Sequence, residues 1–258
     1  MAHVTDRLDN QIINLAKQQY ETQQRTTIPG YVAPLASGGT VYPETSPLRQ
    51  GVVELRHMTS YDEDILANRS YINDGTVLHR LIDSLMLTPG VTAKELSNPD
   101  LDGLIITARI NGYGKNYPVE VTDPKTGTRL KRDIDLSKLK VKPITLPSDE
   151  NGEFEYTIED TNERIKFKYL NIAETETIRD EHPISDLMIL CIREINGDRS
   201  RANIESYVKY KLKSGHSKAF RQYMSANLHG MDFDIEFEGE DKDTFTTRFP
   251  IGPEILWV

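Results

Sequence analysis

The densest run of metal-binding residue types extends from Asp232 to Asp243 and holds seven carboxylates. Its D-x-D-x-E pattern with a nearby glycine would suit calcium, because Ca²⁺ prefers carboxylate oxygens. An EF-hand loop places its glycine at the sixth position, whereas Gly239 is the eighth residue from Asp232. Strict alternation of the acids with three apolar residues predicts instead a strand with a solvated acidic face. The apolar residues are Phe233, Ile235 and Phe237.

The histidines and the cysteine also form no site by spacing. Six histidines stand at positions 3, 57, 79, 182, 216 and 229, never at the one- to four-residue spacings of a local metal site. Cys191 is the single cysteine, which forbids an intrachain disulfide and a multi-cysteine zinc site. Its neighbours Leu187, Leu190 and Ile192 predict a buried thiol that acts as a small hydrophobe.

Catalytic and nucleotide-binding motifs are missing from the sequence. It contains no phosphate-binding loop, no dinucleotide fingerprint, no H-E-x-x-H and no G-x-S-x-G elbow. The nearest glycine pair, Gly112 and Gly114, favours a helix stop over phosphate binding. We therefore predict a protein that is not an enzyme and uses no cofactor and no metal. A hydrolase or metal enzyme in an unfamiliar fold is the alternative from another class.

Composition indicates a globular protein that binds other proteins. The 258 residues are 37% hydrophobic and 28% charged, with a mean hydropathy of -0.52. A net charge of -9 and a pI near 5.2 oppose binding to phosphate backbones, so we expect no nucleic-acid partner. No apolar run approaches the roughly 18 residues of a membrane span, and the N-terminus lacks the pattern of a secretory signal. We expect synthesis in the cytosol.

The N-terminal region is predicted to carry contacts. A helix is expected over about Asp6 to Gln24, with a narrow apolar stripe of Leu8, Ile12 and Leu15 that favours docking on another subunit, the alternative being that the helix lies along its own domain. From Thr26 to Gly51, prolines and glycines predict an extended arm that lies across a neighbouring surface. Its candidate contact residues are Ile28, Tyr31, Val32, Leu35, Val41 and Tyr42.

Periodicity then predicts alternating helices and hairpins. A strand at 52–56 precedes helices at about 60–72, 76–88 and 98–111, and hairpins follow at 117–134 and 154–169. Further helices are expected at about 172–179, 185–196, 202–212 and 216–228. A last hairpin, at 233–249, precedes an apolar tail whose candidate contact residues are Ile255, Leu256 and Trp257.

These elements predict an α+β fold in which helical bundle segments alternate with antiparallel β-hairpins, preceded by an N-terminal helix and an extended arm. We expect three parts. Residues 1–50 form the N-terminal helix and interaction arm, residues 51–172 the helical core block with hairpins, and residues 173–258 the C-terminal helical segment with the closing hairpin and tail.

An ordered succession of short motifs resembles the T4-like phage baseplate protein family, which supplies baseplate hub subunits and hub assembly proteins. The resemblance covers about Ile28 to Val121 and continues more loosely to the C-terminus. The motifs are Ile28-Pro29, Leu35 to Gly39, Glu54 to Thr59, Asp62 to Leu66 and Ile106 to Gly114.

Members of this family often carry cysteine pairs in the hairpin after this block and near the C-terminus, in the manner of small zinc ribbons. Here the turns are Asp123 to Gly127 and Gly239 to Asp243, without cysteine, so strand pairing and turn chemistry must hold these hairpins.

The resemblance implies a structural component of a contractile-tailed phage baseplate hub, located in the tail baseplate of the virion and in the host cytoplasm during assembly. Its implied partners are other hub proteins, the tape-measure protein, or both, and a homo-oligomer is left open. The alternative is a non-structural assembly factor, a chaperone that binds hub or tape-measure subunits and leaves.

Overall fold

Helices alternate with small antiparallel sheets in a computed structural model that describes residues 29–239, 241–249 and 252–256. The described helices are α1 Ser60–Ala67, α2 Arg69–Asn73, α3 Val77–Leu85, α4 Asn98–Tyr113, α5 Ile172–Thr175, α6 Pro183–Cys191, α7 Arg201–Tyr210 and α8 Ser214–Ala226. The described strands are β1 Gly30–Pro34, β2 Val52–Arg56, β3 Asn116–Thr122, β4 Arg129–Asp135, β5 Val141–Lys142, β6 Phe154–Ile158, β7 Glu163–Phe167, β8 Ile192–Ile195, β9 Gly230–Met231, β10 Asp234–Glu238 and β11 Thr244–Arg248. This architecture confirms the predicted α+β class.

The first predicted helix is in fact two helices. The Thr59 backbone N–H donates to the Asp62 carboxylate at 2.8 Å, so the capping box that opens α1 lies one residue earlier than the pair that the sequence pattern predicts, Ser60 and Glu63. At Asn68 the backbone turns to an extended ψ of 108°, and the Asn68 side chain accepts hydrogen bonds from the first N–H groups of α2. A side chain that caps a new helix thus interrupts the expected helix over 60–72.

Helix α4 is the long helix of the first half; its predicted start at Asn98 is confirmed, and it ends at Tyr113, two residues beyond the predicted 111. The Ser97 hydroxyl accepts a hydrogen bond from the Asp100 N–H, and proline at an early position fits the first turn. Leu104 and Ile105 are fully buried. The helix ends where Gly114 adopts a φ of 87°, a conformation that favours glycine.

The three predicted hairpins form as β3–β4, β6–β7 and β10–β11, all antiparallel. The predicted helix over 185–196 is wrong in its last part, because α6 ends at Cys191 and β8 pairs with β7 as a third strand. The local pattern of apolar residues carries no information about a strand edge elsewhere in the fold. Pairing of residues 192–195 with β7 therefore overrides the helical periodicity. Helix α5 is likewise shorter than the predicted 172–179.

One cluster of buried apolar side chains extends from Ala33 to Leu256 and draws on all three expected parts of the chain. Strand pairing crosses the expected boundaries, since β1 pairs with β2 and β7 with β8. An aromatic group lies within this core, with ring centroids 5.2 Å apart for Phe167 and Phe220 and 5.6 Å apart for Phe154 and Phe167.

Candidate interaction surface

Strands β1 and β2 form a two-stranded ribbon, closed by the loop of residues 35–51. This loop folds back on itself: Gly39 has a φ of 85°, and a Cβ there would lie 2.4 Å from the carbonyl oxygen of Arg49. The Arg49 guanidinium donates to the carbonyls of Thr40 and Tyr42 at 3.0 and 2.9 Å. The segment expected to be an extended arm is therefore, from residue 30 onward, an ordered part of this chain's own fold.

The ribbon has one buried face and one exposed face, as alternation along a strand requires. Ala33, Val53 and Leu55 pack into the core. The opposite face carries Gly30, Val32, Pro34, Val52 and Glu54. Val32 is 67% exposed and Val52 40% exposed, so this apolar ribbon face is open to a partner.

The two edges of the ribbon differ. The outer edge of β2 is covered, because the Leu87 N–H donates to the Glu54 carbonyl and the Glu54 N–H donates to the Thr88 hydroxyl, both at 2.8 Å. Among the described residues, none outside the ribbon forms a backbone hydrogen bond with the outer edge of β1. The ribbon thus combines an apolar face with an unpaired strand edge, two features that bind protein chains.

The predicted contact residues divide into three groups. Leu35, Val41, Tyr42, Ile255 and Leu256 are buried within the chain, which corrects their assignment to a contact surface. Tyr31 is half-buried, with its ring centroid 5.0 Å from that of His57, and Val32 is exposed. Leu8, Ile12, Leu15, Ile28 and Trp257 lie outside the described residues.

The correction has a simple physical cause. Singly spaced hydrophobes between prolines and glycines have no period that identifies the surface they cover. In the loop, that surface belongs to the same chain: Tyr42 reaches the start of α4, and its hydroxyl donates to the Asp100 carboxylate.

Asp100 is the centre of a buried polar cluster that the sequence did not predict. Its carboxylate accepts hydrogen bonds from the Ser37 N–H and hydroxyl, both at 2.8 Å, from the Tyr42 hydroxyl at 2.5 Å and from the Ser97 hydroxyl at 2.9 Å. Burial alone would raise the pKa of Asp100, but hydrogen bonds and the nearby His229 outweigh it and hold the pKa below its usual value. Burial and the charge of Asp100 raise the pKa of Tyr42.

The cluster contains serine, histidine and aspartate, yet its geometry is not that of a nucleophilic triad. The Ser97 oxygen lies 3.0 Å from Nε2 of His229, and the Asp100 carboxylate approaches the same nitrogen at 3.7 Å instead of Nδ1. Within the described chain, no hydrogen-bond partner reaches Nδ1. Because Asp100 and His229 side chains are fully buried, the cluster joins the loop, α4 and the segment after α8 as a structural anchor.

A cavity of about 350 Å³ lies beside this cluster, and most of the charged side chains that line it are paired with one another. Arg199 donates to Glu153 at 2.8 Å, and Lys168 donates to Glu174 at 2.5 Å. These pairs leave the cavity without a concentrated charge that would select a ligand.

The two turns expected to hold their hairpins without cysteine lie against each other. Asp123 accepts hydrogen bonds from the backbone N–H groups of Lys125 and Thr126, at 2.8 and 3.3 Å. Lys125 forms an ion pair with Asp243 of the other turn. Hydrogen bonds to Asp123 thus hold the first turn, and the ion pair between Lys125 and Asp243 joins the two turns.

The acidic strand is confirmed as a solvated face, with Asp234, Glu236 and Glu238 exposed on β10. Within the described ranges, no group of three or more histidine, cysteine or acidic residues is placed to hold a metal ion. None of the described helices combines the length and apolarity of a membrane span.

Comparison with protein families gives a match over most of the chain. The T4 bacteriophage base plate protein family matches residues 40–231, about three quarters of the chain. No curated protein and no solved structure shows significant similarity. The matched segment begins after β1 and ends at β9, so β1 and the closing hairpin flank it.

Proposed function

The chain belongs to the T4 bacteriophage base plate protein family, and from this premise we propose that it is a structural component of the baseplate hub that acts through protein-protein contacts during tail assembly. Family membership supports a structural role related to the phage baseplate. The hub position, and contacts with other hub proteins or with the tape-measure protein, are our proposal. The exposed apolar face of the β1–β2 ribbon is the observation that carries it.

This face fits a docking role for two reasons. Val32 and Val52 are large exposed apolar side chains on the same side of one short ribbon, together with Pro34. Full burial of an exposed valine contributes about 1.5–3 kcal/mol, and Val32 and Val52, which are 67% and 40% exposed, each contribute a fraction of that to binding. The ribbon also begins directly after residues 1–28, which contain the proposed contact residues Leu8, Ile12 and Leu15.

The test compares binding of two variants to tail proteins. Affinity-tagged chain is recovered from infected cells, and the co-purified tail proteins are quantified by mass spectrometry. We expect the double variant Val32→Asp with Val52→Asp to lose hub or tape-measure proteins at least tenfold relative to the parent chain, because two carboxylates on the face oppose burial.

The matched control is Tyr210→Asp, which places a carboxylate on an 82% exposed aromatic position at the end of α7. Circular dichroism establishes that all variants are folded. Unchanged recovery of tail proteins with the double variant would contradict a docking role for the ribbon face. Failure of the parent chain to recover any tail protein would contradict the proposed function itself.

A further inference from the structure

Within the described residues, the outer edge of β1, centred on Val32, has no strand partner. We propose that this edge binds the same edge of a second copy of the chain, so that two ribbons form one four-stranded antiparallel sheet about a two-fold axis at Val32. The inference deepens the proposed function, because it specifies a partner for the ribbon, but the dimer itself is a property of the purified chain.

Hydrogen bonding establishes which groups point outward. The Leu35 N–H donates to the Gly51 carbonyl, and the His57 N–H donates to the Pro29 carbonyl. In an antiparallel pair, alternate residues face the partner, so residues 29, 31, 33 and 35 face β2. Gly30, Val32 and Pro34 therefore direct their backbone groups away from the ribbon, and all three are exposed.

The outward edge is complementary to itself. When Val32 is opposite its symmetry mate, the two residues exchange a pair of N–H to carbonyl hydrogen bonds. Gly30 then lies opposite the Pro34 position of the other copy, where the smallest residue faces the ring. The Gly30 N–H donates to the Pro34 carbonyl in each direction, and because proline has no N–H, the edge provides about four bonds across the dimer.

Charge favours a second copy at this edge over other parts of the surface. The chain has a net charge of -9, so two copies repel except where charges are few. The five residues of β1 are uncharged, and Glu54 is the nearest acid on the exposed face. In the proposed sheet the two Glu54 positions are three strand spacings apart, about 14 Å, which exceeds a Debye length of about 8 Å.

The size of the edge limits the affinity. A five-residue strand buries less than the roughly 800 Å² per partner of a standard stable interface. We therefore expect a weak dimer, with a dissociation constant on the order of 10–100 μM. The dimer has a larger docking face than one copy, because Val32, Pro34 and Val52 of both copies form one continuous apolar strip.

Sedimentation velocity on the full chain, between about 5 and 500 μM, measures the dissociation constant. Val32→Pro removes the two central N–H donors without removing a donor that faces β2, and we expect it to weaken the dimer about tenfold or more. Val32→Thr is the matched control, because it keeps the N–H and the β-branched shape, and it should dimerise like the parent chain.

A thiol cross-link tests the geometry. We expect Val32→Cys to give a covalent dimer with a short bismaleimide, because symmetry places the two Cβ atoms about 5 Å apart. Val52→Cys on the same face should not give a covalent dimer, because the β1 strands of both copies lie between the two copies of position 52. Cys191 is buried and adds no background.

A monomer over the whole concentration range, or equal cross-linking of both cysteine variants, would overturn the proposal. A link from Cys at position 32 to Lys17 of its own chain, with a thiol-amine reagent, would also overturn it, because residues 1–28 would then occupy the edge. Recovery of tail proteins from infected cells is a separate measurement. The dimer can therefore be disproved without disproving the baseplate role, and the reverse also holds.

Discussion

The Tyr42 hydroxyl donates a 2.5 Å hydrogen bond to the Asp100 carboxylate, although 58 positions separate the two residues. The same hydroxyl accepts a hydrogen bond from the Ser97 N–H at 2.9 Å. One side chain of the loop thereby satisfies two buried groups at the start of α4. This contact fixes the loop that closes the β1–β2 ribbon, and so it positions the proposed docking face.

Tyr42→Phe tests this anchor. Removal of the hydroxyl leaves the buried Ser97 N–H without its partner and takes one donor from Asp100, so we expect the free energy of unfolding to fall by about 1–3 kcal/mol. Urea denaturation measures the change. Tyr210→Phe at an exposed position is the control, and equal stability of the two variants would contradict the anchoring role.

Asp102 on α4 gives a prediction about pH. Burial raises its pKa from 3.8 to about 6, against a smaller opposing effect of Arg248. A raised carboxylate pKa destabilises the folded chain at pH above 6, and this cost disappears as pH falls below 3.8. Asp102→Asn should therefore raise the free energy of unfolding at pH 7.5 by about 1–2 kcal/mol, after discounting for partial exposure.

The gain from Asp102→Asn should shrink as pH falls from 6 toward 4, which urea titrations at several pH values measure. The exposed Asp64→Asn serves as the control. A gain that is constant with pH would show that the substitution acts through packing instead of charge.

Gly239→Ala tests the contact between the two turns. A Cβ at this position would lie 2.5 Å from Oδ2 of Asp123, a buried carboxylate, so something must shift. We expect a loss of about 1–3 kcal/mol in the free energy of unfolding. Gly215→Ala in α8 is the matched control, because no atom lies within 4 Å of its added Cβ. Equal stability of the two variants would argue against close packing of the turns.

Cys191 is predicted to be unreactive in the folded chain. Burial raises the pKa of its thiol to about 12, and the thiolate is the reactive form. A thiol-specific reagent should therefore label the native chain at least a hundredfold more slowly than the chain in denaturant. Labelling at similar rates in both states would contradict the burial of this residue.

The sequence predicted the elements that local patterns specify. Alternation predicted the three hairpins, and the apolar periodicity that begins at Asn98 predicted α4. It did not predict β8, because pairing with β7 overrides the local helical pattern. It also assigned Leu35 and Tyr42 to a partner's surface, since an aperiodic segment does not reveal which chain it covers.

The buried cluster was out of reach for a related reason. Ser37, Asp100 and His229 are far apart in the sequence, and each matches an ordinary residue at a turn or a helix end. Only the fold brings them together. Val32 was predicted as a contact residue because it is apolar, but that its backbone N–H and carbonyl point away from β2 became evident only from the register of β1 with β2.

The central claim is that this chain is a structural component retained in the baseplate, and its most direct test is quantitative mass spectrometry of purified virions alongside tail-assembly intermediates. The proposal predicts the chain in mature particles, at a fixed ratio to other hub proteins and unchanged by salt washing. Its presence in intermediates with absence from mature particles would contradict a structural role and support the transient assembly factor.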